Sequence, residues 1–209
     1  RYMLGVYDLY SRLNERFPEV LFESCAGGGG RNDPGMLAFA PQAWTSDDTD
    51  AVERQRIQYG TSLVYPLVAM GAHVSAVPNH QTGRVTPLDT RAAVAFFGNL
   101  GYELDPRALD EGEAEAVKAQ IAWYKERREL LHRGRFHRLL SPFEGDGNET
   151  AWMVVDDEAS HALVGWYRTL SRPLPGPSHL RLRGLDPTAR YGVSVWPEAD
   201  DALTRSNTL

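Results

Sequence analysis

One cysteine, Cys25, is all that the chain of 209 residues contains. That excludes an internal disulfide and a cysteine-built metal centre, and it gives no sign of adaptation to an oxidising compartment, so a cytoplasmic setting is expected. No apolar run is long enough to cross a bilayer, and the first residues lack the charged-then-apolar pattern of a secretory leader. Positive charge is also scarce: 22 Lys and Arg against 28 Asp and Glu leave a net charge of -6 and a pI near 5.5. Nucleic acid and anionic membranes are poor partners for such a surface, because both need a basic footprint. The six histidines show no H-E-x-x-H spacing, no G-x-S-x-G turn offers a serine nucleophile, and no GK[ST] follows a glycine-rich loop. No metal or organic cofactor is expected, and a neutral small-molecule substrate remains.

What is present is an ordinary globular composition, 42% apolar and 24% charged, enough for one large or two small domains with real cores. The first two-thirds alternates helix-like and strand-like stretches, the pattern of β/α units around a parallel sheet. Met3, Val6, Tyr7, Tyr10 and Leu13 recur at helical spacing up to Pro18. VLFES, LAFAPQAW, HVSAVP and GYELD read as four successive strands. Helix starts lie between them: Asp33 before Pro34, Asp50 with Glu53 as a capping box opening a helix that carries Val52, Arg56 and Tyr59, and Thr86 and Asp89 around Pro87. Glu111 to His132 is the clearest helix, with Val117, Ile121, Tyr124 and Leu131 on one face and Gly134 as its stop. Beyond it, ETAWMVV and HALVGWYR flank DDEAS as one hairpin, and HLRLR and RYGVSVW flank GLDPTA as another. A second, all-β domain therefore begins near Arg135.

Four β/α units in about 134 residues make roughly half of a (β/α)8 barrel, and barrel enzymes place their chemistry where strands end. Two such ends stand out. Cys25, Ala26, Gly27 and Gly28 follow the first strand, where glycines let a backbone approach a ligand or take positive φ; the residues alone favour a tight turn with a buried thiol. Asp47, Asp48 and Asp50 follow the second. Asp50 is the helix cap, and the pattern cannot choose between Asp47 and Asp48. Trp44 is assigned to the core rather than to a sugar platform. A structural ion pair is preferred for Arg31. Asn79 to Arg84 form a polar loop on the same face, and shaping that face and touching substrate stand level.

FESCAGGGGR, PQAWTSDDTDAVER, IQYGTSLVYP, MGAHVSAVPNHQTGR and FGNLGYELD, in this order, resemble the bacterial α-galactosidases of glycoside hydrolase family 36, with looser likeness through LLSPFEG and ETAWMVV. The resemblance implies the C-terminal half of a TIM barrel followed by the start of an antiparallel β-sandwich, divided as 1–134 and 135–209. It implies a retaining α-galactosidase acting on terminal α-galactosides such as raffinose-family sugars and melibiose. The first aspartate of the S-D-x-T-D motif, here Asp47, would be the general acid/base, and Cys25, Ala26, Gly27 and Gly28 would line the galactose pocket. Asp48 stands where asparagine is frequent.

The family's nucleophile lies in a K-W-D motif that is not in this chain, nor are the tryptophan and paired aspartates that hold galactose. Because the chain begins with Arg1, it is expected to be an internal piece of a longer protein. The resemblance, to half a barrel and an incomplete sandwich, implies truncation at both ends, and the missing nucleophile and half-barrel imply that it is inactive alone. A homo-oligomeric parent follows from the resemblance only. Three rivals stay open: transglycosylation, action on N-acetylgalactosaminides, and a non-catalytic half-barrel remnant.

Overall fold

The computed structural model describes residues 1–174 and 176–197. Its first element, α1 (Tyr2–Arg16), buries Val6 and leaves Tyr2, Leu4 and Leu9 exposed, so only part of its apolar surface is covered. Four strands, β1 (Glu23–Ser24), β2 (Gln42–Trp44), β3 (Met70–Ser75) and β4 (Asn99–Glu103), form a parallel sheet in chain order. The connections carry α2 (Pro34–Leu37), α3 (Ala51–Ser62) and α4 (Leu88–Ala95). The predicted β/α alternation is therefore present.

Two predicted strands are shorter than expected. The LAFA stretch joins α2 and its closing turn, where Ala38, Phe39 and Ala40 return N–H bonds to Gly35 and Met36. That leaves β2 three residues, so β1 finds only the pairs Glu23–Gln42 and Ser24–Ala43, while Val20 and Leu21 stay exposed. Asp33 caps α2 as predicted, accepting from the Gly35 and Met36 amides at 2.8 and 3.1 Å. Asp50 caps α3 in the same way but not as a box. Its own amide bonds to Asp48 at 3.0 Å rather than to Glu53. The start of α4 is also shifted: Pro87 precedes its first residue, and the Thr86 carbonyl accepts from Arg91 Nε at 3.1 Å instead of supporting a cap.

A capping box does open α5 (Glu111–Arg133), where Asp110 accepts from the Glu113 amide at 2.8 Å and Glu113 accepts from the Asp110 amide at 3.2 Å. Gly134 stops this helix for a different reason from the usual left-handed turn. Its φ is -68°, and a side chain there would lie 2.5 Å from Val154 Cγ1 and 2.8 Å from the Val155 carbonyl. Close approach of the next sheet requires the glycine.

That sheet is antiparallel, in the order β5 (Arg135–Leu140), β6 (Glu149–Val155), β7 (Ala162–Arg168). The β6–β7 hairpin is the predicted one; its turn is closed by Asp156, which accepts from the Ser160 and His161 amides at 2.7 and 3.1 Å. Strand β5 was not anticipated. The second predicted hairpin, 179–196, is absent among the described residues. Alternation along HLRLR supplies strand preference, but a ladder also needs a partner backbone, and this segment is held instead by single bonds: the Arg183 amide to Met153 Sδ at 3.3 Å, and the Tyr191 hydroxyl to the Ala159 carbonyl at 2.5 Å.

One apolar core spans both sheets. Met70, Ala72 and Val74 of β3 pack with Ala92, Val94, Ala95, Phe96 and Phe97, and the same cluster takes in Tyr124 and Leu131 of α5 and Trp152, Val154 and Tyr167 of the antiparallel sheet. Phe96 stacks on Trp123 with centroids 4.5 Å apart, and the Tyr167 hydroxyl donates to the Ala93 carbonyl at 2.8 Å. Burial drives the Tyr167 hydroxyl's pKa well above the usual tyrosine range. Among the described residues no helix is long and apolar enough to cross a membrane.

Candidate active site

Parallel pairing puts the carboxyl ends of all four strands on one side of the sheet, and the segments that follow them meet there. After β1 the chain turns through Gly27 and Gly28, with φ of +56° and +73°, closed by the Ala26 amide donating to the Gly28 carbonyl at 3.1 Å. A side chain on Gly28 would lie 2.7 Å from Ser46 Cα and 2.9 Å from the Asp47 amide nitrogen. The glycine turn therefore rests directly on the backbone that carries Asp47. Cys25 to Gly28 and Asp47, singled out separately in sequence, are brought together. The Cys25 thiol is exposed, not buried, because Ser24 takes the inward place at the strand end and alternation turns Cys25 outward, like Glu23.

The three aspartates have different surroundings. Asp50 is buried and saturated: it caps α3 through the Val52 and Glu53 amides at 2.9 and 3.0 Å, accepts from Thr82 Oγ1 at 2.9 Å, and pairs with Arg84. Asp48 is half-buried and uses its carboxylate on the Asp50 amide. Asp47 is exposed, and its carboxyl has no hydrogen bond or ion pair with another described residue. The pattern of residues treated Asp47 and Asp48 alike; their hydrogen bonding among the described residues differs.

The loop after β3 holds this arrangement from the side. Asn79, buried, donates Nδ2 to Thr49 Oγ1 at 3.0 Å and accepts from the Gln81 and Thr82 amides at 3.0 and 3.1 Å. Gln81 reaches across, its Oε1 accepting from the Thr49 amide at 3.2 Å and its Nε2 donating to the Asp47 carbonyl. From below, Arg54 donates to the Ser46 carbonyl at 3.3 Å and to the Gly71 carbonyl, with its guanidinium 5.0 Å from the Trp44 ring centroid. Burial pulls the Arg54 pKa down to about 10, against the opposing pull of the charges on Asp48 and Glu103.

Arg54 and Gln58 were missed as structural anchors in the sequence. Helix α3 turns Ala51, Arg54, Gln55 and Gln58 inward, while Val52 and Tyr59 are only half-buried and Arg56 is exposed. The i, i+3, i+4, i+7 spacing of the inward residues was a visible signal, but it is a polar stripe and a search for apolar periodicity passes over it. The stripe is polar because it faces carbonyls: Gln58 Nε2 donates to the Val94 carbonyl at 3.0 Å. Trp44 is core as expected, 9% exposed, with its ring tilted 33° against that of His73 at a centroid distance of 4.3 Å. The ion pair expected for Arg31 is not formed among the described residues; instead its carbonyl accepts from Ser24 Oγ at 3.3 Å. Two surface cavities of about 420 and 340 Å³ lie away from Asp47, one beside Glu149 and Arg168, the other between Ser62–Leu67 and Leu131–Arg138.

A family model described as Melibiase matches residues 1–134, and one described as Glycosyl hydrolase family 36 C-terminal domain matches residues 149–208. The chain is similar to alpha-galactosidase AgaA of Geobacillus stearothermophilus, at 58% identity over 193 residues, 92% of this chain and 26% of that protein. It is also similar to the bifunctional alpha-galactosidase/sucrose kinase AgaSK of Mediterraneibacter gnavus, at 51% identity over 91% of this chain and 20% of that protein. The crystal structure of AgaA superposes with a TM-score of 0.88 at 59% identity, covering 91% of this chain and 26% of that one. A variant of AgaA in complex with raffinose gives a TM-score of 0.88 at 58% identity over the same shares. The chain thus spans about a quarter or less of the length of these relatives. With one model covering well over half of its residues and the second following in order, this chain belongs to the melibiases of glycoside hydrolase family 36.

Proposed function

We propose that this chain supplies the C-terminal half of a (β/α)8 catalytic barrel, residues 1–134, and the beginning of a C-terminal β-sandwich, residues 135–209, in a retaining α-galactosidase. Four parallel strands in chain order, each but the last followed by a helix on the way to its neighbour, fit half of an eight-unit barrel. Similar proteins carry the name alpha-galactosidase, and AgaA variants have been crystallised with raffinose and with stachyose. Terminal α-galactosides are accordingly the substrates assigned here. The single cysteine favours a cytoplasmic setting.

The observation that carries the reading is the exposed carboxyl of Asp47, without a hydrogen-bond partner among the described residues, held beside the Cys25–Gly28 turn at the carboxyl ends of parallel strands. Retaining hydrolysis needs two carboxyl groups roughly 5 to 5.5 Å apart. A carboxylate from outside these residues attacks the anomeric carbon as the glycosidic bond breaks, and protonated Asp47 gives its proton to the departing oxygen. In the second step Asp47, now a carboxylate, takes a proton from the water whose oxygen displaces the enzyme from the sugar. Two inversions restore the α configuration. Cys25, Ala26, Gly27 and Gly28 line the galactose side of this face.

The test is stereochemical. The whole protein is incubated with raffinose or melibiose, and the galactose released first is followed by proton NMR before it mutarotates. α-Galactose is expected. The β anomer, or no release of galactose at all, overturns the proposal.

A further inference from the structure

Gln81 stands in a relation to Asp47 that its own loop does not require. The segment Thr45–Asp50 is fixed at its downstream end by Asp50, which is buried under α3 and Arg84, and in its middle by Thr49, whose carbonyl accepts from Ser75 Oγ at 3.2 Å. Asp47 itself has one hydrogen bond to another element among the described residues: its carbonyl accepts from Gln81 Nε2. The other end of the same amide takes the Thr49 N–H at 3.2 Å. Gln81 thus grips the two peptide groups on either side of Asp48. Where a carbonyl points fixes ψ of its residue, so a held Asp47 carbonyl limits the directions in which that backbone can present the Asp47 carboxyl. The grip needs an amide, with a donor at one end and an acceptor at the other, and the two partners leave no choice about which end is which.

The Gln81 backbone is prepared for this. Its amide donates to Asn79 Oδ1 at 3.0 Å, and Asn79 is tied through Nδ2 to the hydroxyl of the same Thr49 that Gln81 holds by its amide. The Asn79 carbonyl in turn accepts from the Gly83 amide at 2.7 Å, closing the loop at a residue with φ of +69°. The exposed glutamine is therefore mounted on a buried asparagine, and both address the loop that carries Asp47.

We propose that Gln81 is a positioning residue for proton transfer by Asp47. The inference rests on the acid/base assignment of Asp47 made above. A group that positions the acid matters in proportion to how much the leaving oxygen needs a proton, which separates its effect from general loss of structure.

The experiment compares kcat/KM of the whole protein on raffinose with that on an aryl α-galactoside bearing a strongly acidic leaving group. Gln81→Glu keeps size but turns the donor into an acceptor facing the Asp47 carbonyl. It should lower kcat/KM on raffinose about tenfold or more, while the activated aryl substrate loses less than about threefold. Gln81→Met, which removes both bonds without adding charge, should behave in the same direction and serves if the glutamate variant does not fold, as judged by its melting temperature. Equal losses on the two substrates, or no loss on either, overturn the proposal. Asp47→Asn run alongside separates the two failures. If it shows the leaving-group dependence and the Gln81 variants do not, only the positioning role falls; if it shows none, the acid/base assignment falls and the positioning role with it.

Discussion

Gly28 and Asp47 are nineteen residues apart in sequence yet so close in space that a single methyl group on Gly28 would lie 2.9 Å from the Asp47 amide nitrogen. Gly27, its neighbour, has open space around the corresponding position although its φ is also positive. The pair therefore separates strain from intrusion. Gly27→Ala should cost about 1 kcal/mol from φ alone and leave kcat nearly unchanged. Gly28→Ala adds a clash with backbone that cannot rotate away, about 1 to 3 kcal/mol further, and should lower kcat about tenfold or more by displacing Asp47. Melting temperature and kcat measured on both variants check this. Equal kcat for the two would mean that the turn does not set the position of Asp47.

Asp47 and Asp48 can be told apart by their leaving-group dependence. Asp47→Asn should nearly abolish turnover of raffinose, whereas aryl galactosides with acidic leaving groups should still form the glycosyl-enzyme, which then accumulates until azide intercepts it. Asp48→Asn keeps an oxygen able to accept the Asp50 amide and should change turnover far less. Leaving-group dependence and azide rescue in the Asp48 variant, with a near-normal Asp47 variant, would reverse the assignment.

The exposed Cys25 thiol offers a chemical probe. If the turn lines the galactose side, iodoacetamide should inactivate the whole protein, and free galactose should slow the loss in proportion to occupancy. Identical rates with and without galactose would place the thiol outside the sugar's footprint.

Arg54 is a cation used for its geometry. Arg54→Met would leave the Ser46 and Gly71 carbonyls without their donors and should cost about 3 kcal/mol or more, with kcat falling because Ser46 precedes Asp47. Arg54→Lys cannot span both carbonyls with one ammonium, so it should recover less than half of that loss. Urea denaturation of the two variants tests the ranking.

A pH effect on stability follows from His132. Burial first, with the Arg128 charge adding to it and the bond to Gly98 opposing, holds its pKa below the ordinary histidine value; it lies 2.9 Å from the Tyr124 hydroxyl. The unfolded chain therefore binds the proton more readily. Stability is fully present above the ordinary histidine pKa, near 6.5, and is lost as pH falls through and below that value. His137 is shifted in the same direction by burial and by Arg135 and Arg183. His132→Gln should flatten part of the fall in melting temperature between about pH 7 and pH 5, and a double variant with His137→Gln more of it. An unchanged slope would remove both residues from the account.

The legible parts of the fold were those set by local chemistry. Asp33 and Asp50 announced their helices because a carboxylate before a helix satisfies amides within three residues, and the Asp47 loop was placed at a strand end by the run before it. What was not legible depended on distant partners. VLFES looked like a full strand, but its length was decided by how much of LAFAPQAW the α2 turn consumed. HLRLR alternated correctly and still formed no ladder among the described residues, since strand pairing is a property of two segments. Gln81 and Asn79 belonged to a polar loop whose direction no spacing reveals. Arg54 lay in plain view on a helix, hidden by the assumption that inward faces are apolar.

The core shared by the two sheets also bears on how such chains can be recombined. Tyr167 and Trp152 belong to the antiparallel sheet, yet their neighbours include Ala93 and Phe97, on or just after the helix whose Arg91 caps the Ser75 carbonyl at the end of β3. A crossover engineered at residue 134, where the Melibiase model ends, would bring together surfaces that never shaped one another. An indole and a phenol fitted to one α4 would have to accept another. Chimeras of family members should therefore tolerate a junction placed before α4, which moves α4, α5 and the antiparallel sheet as one inherited block, better than a junction at the glycine that the sequence marks as the boundary.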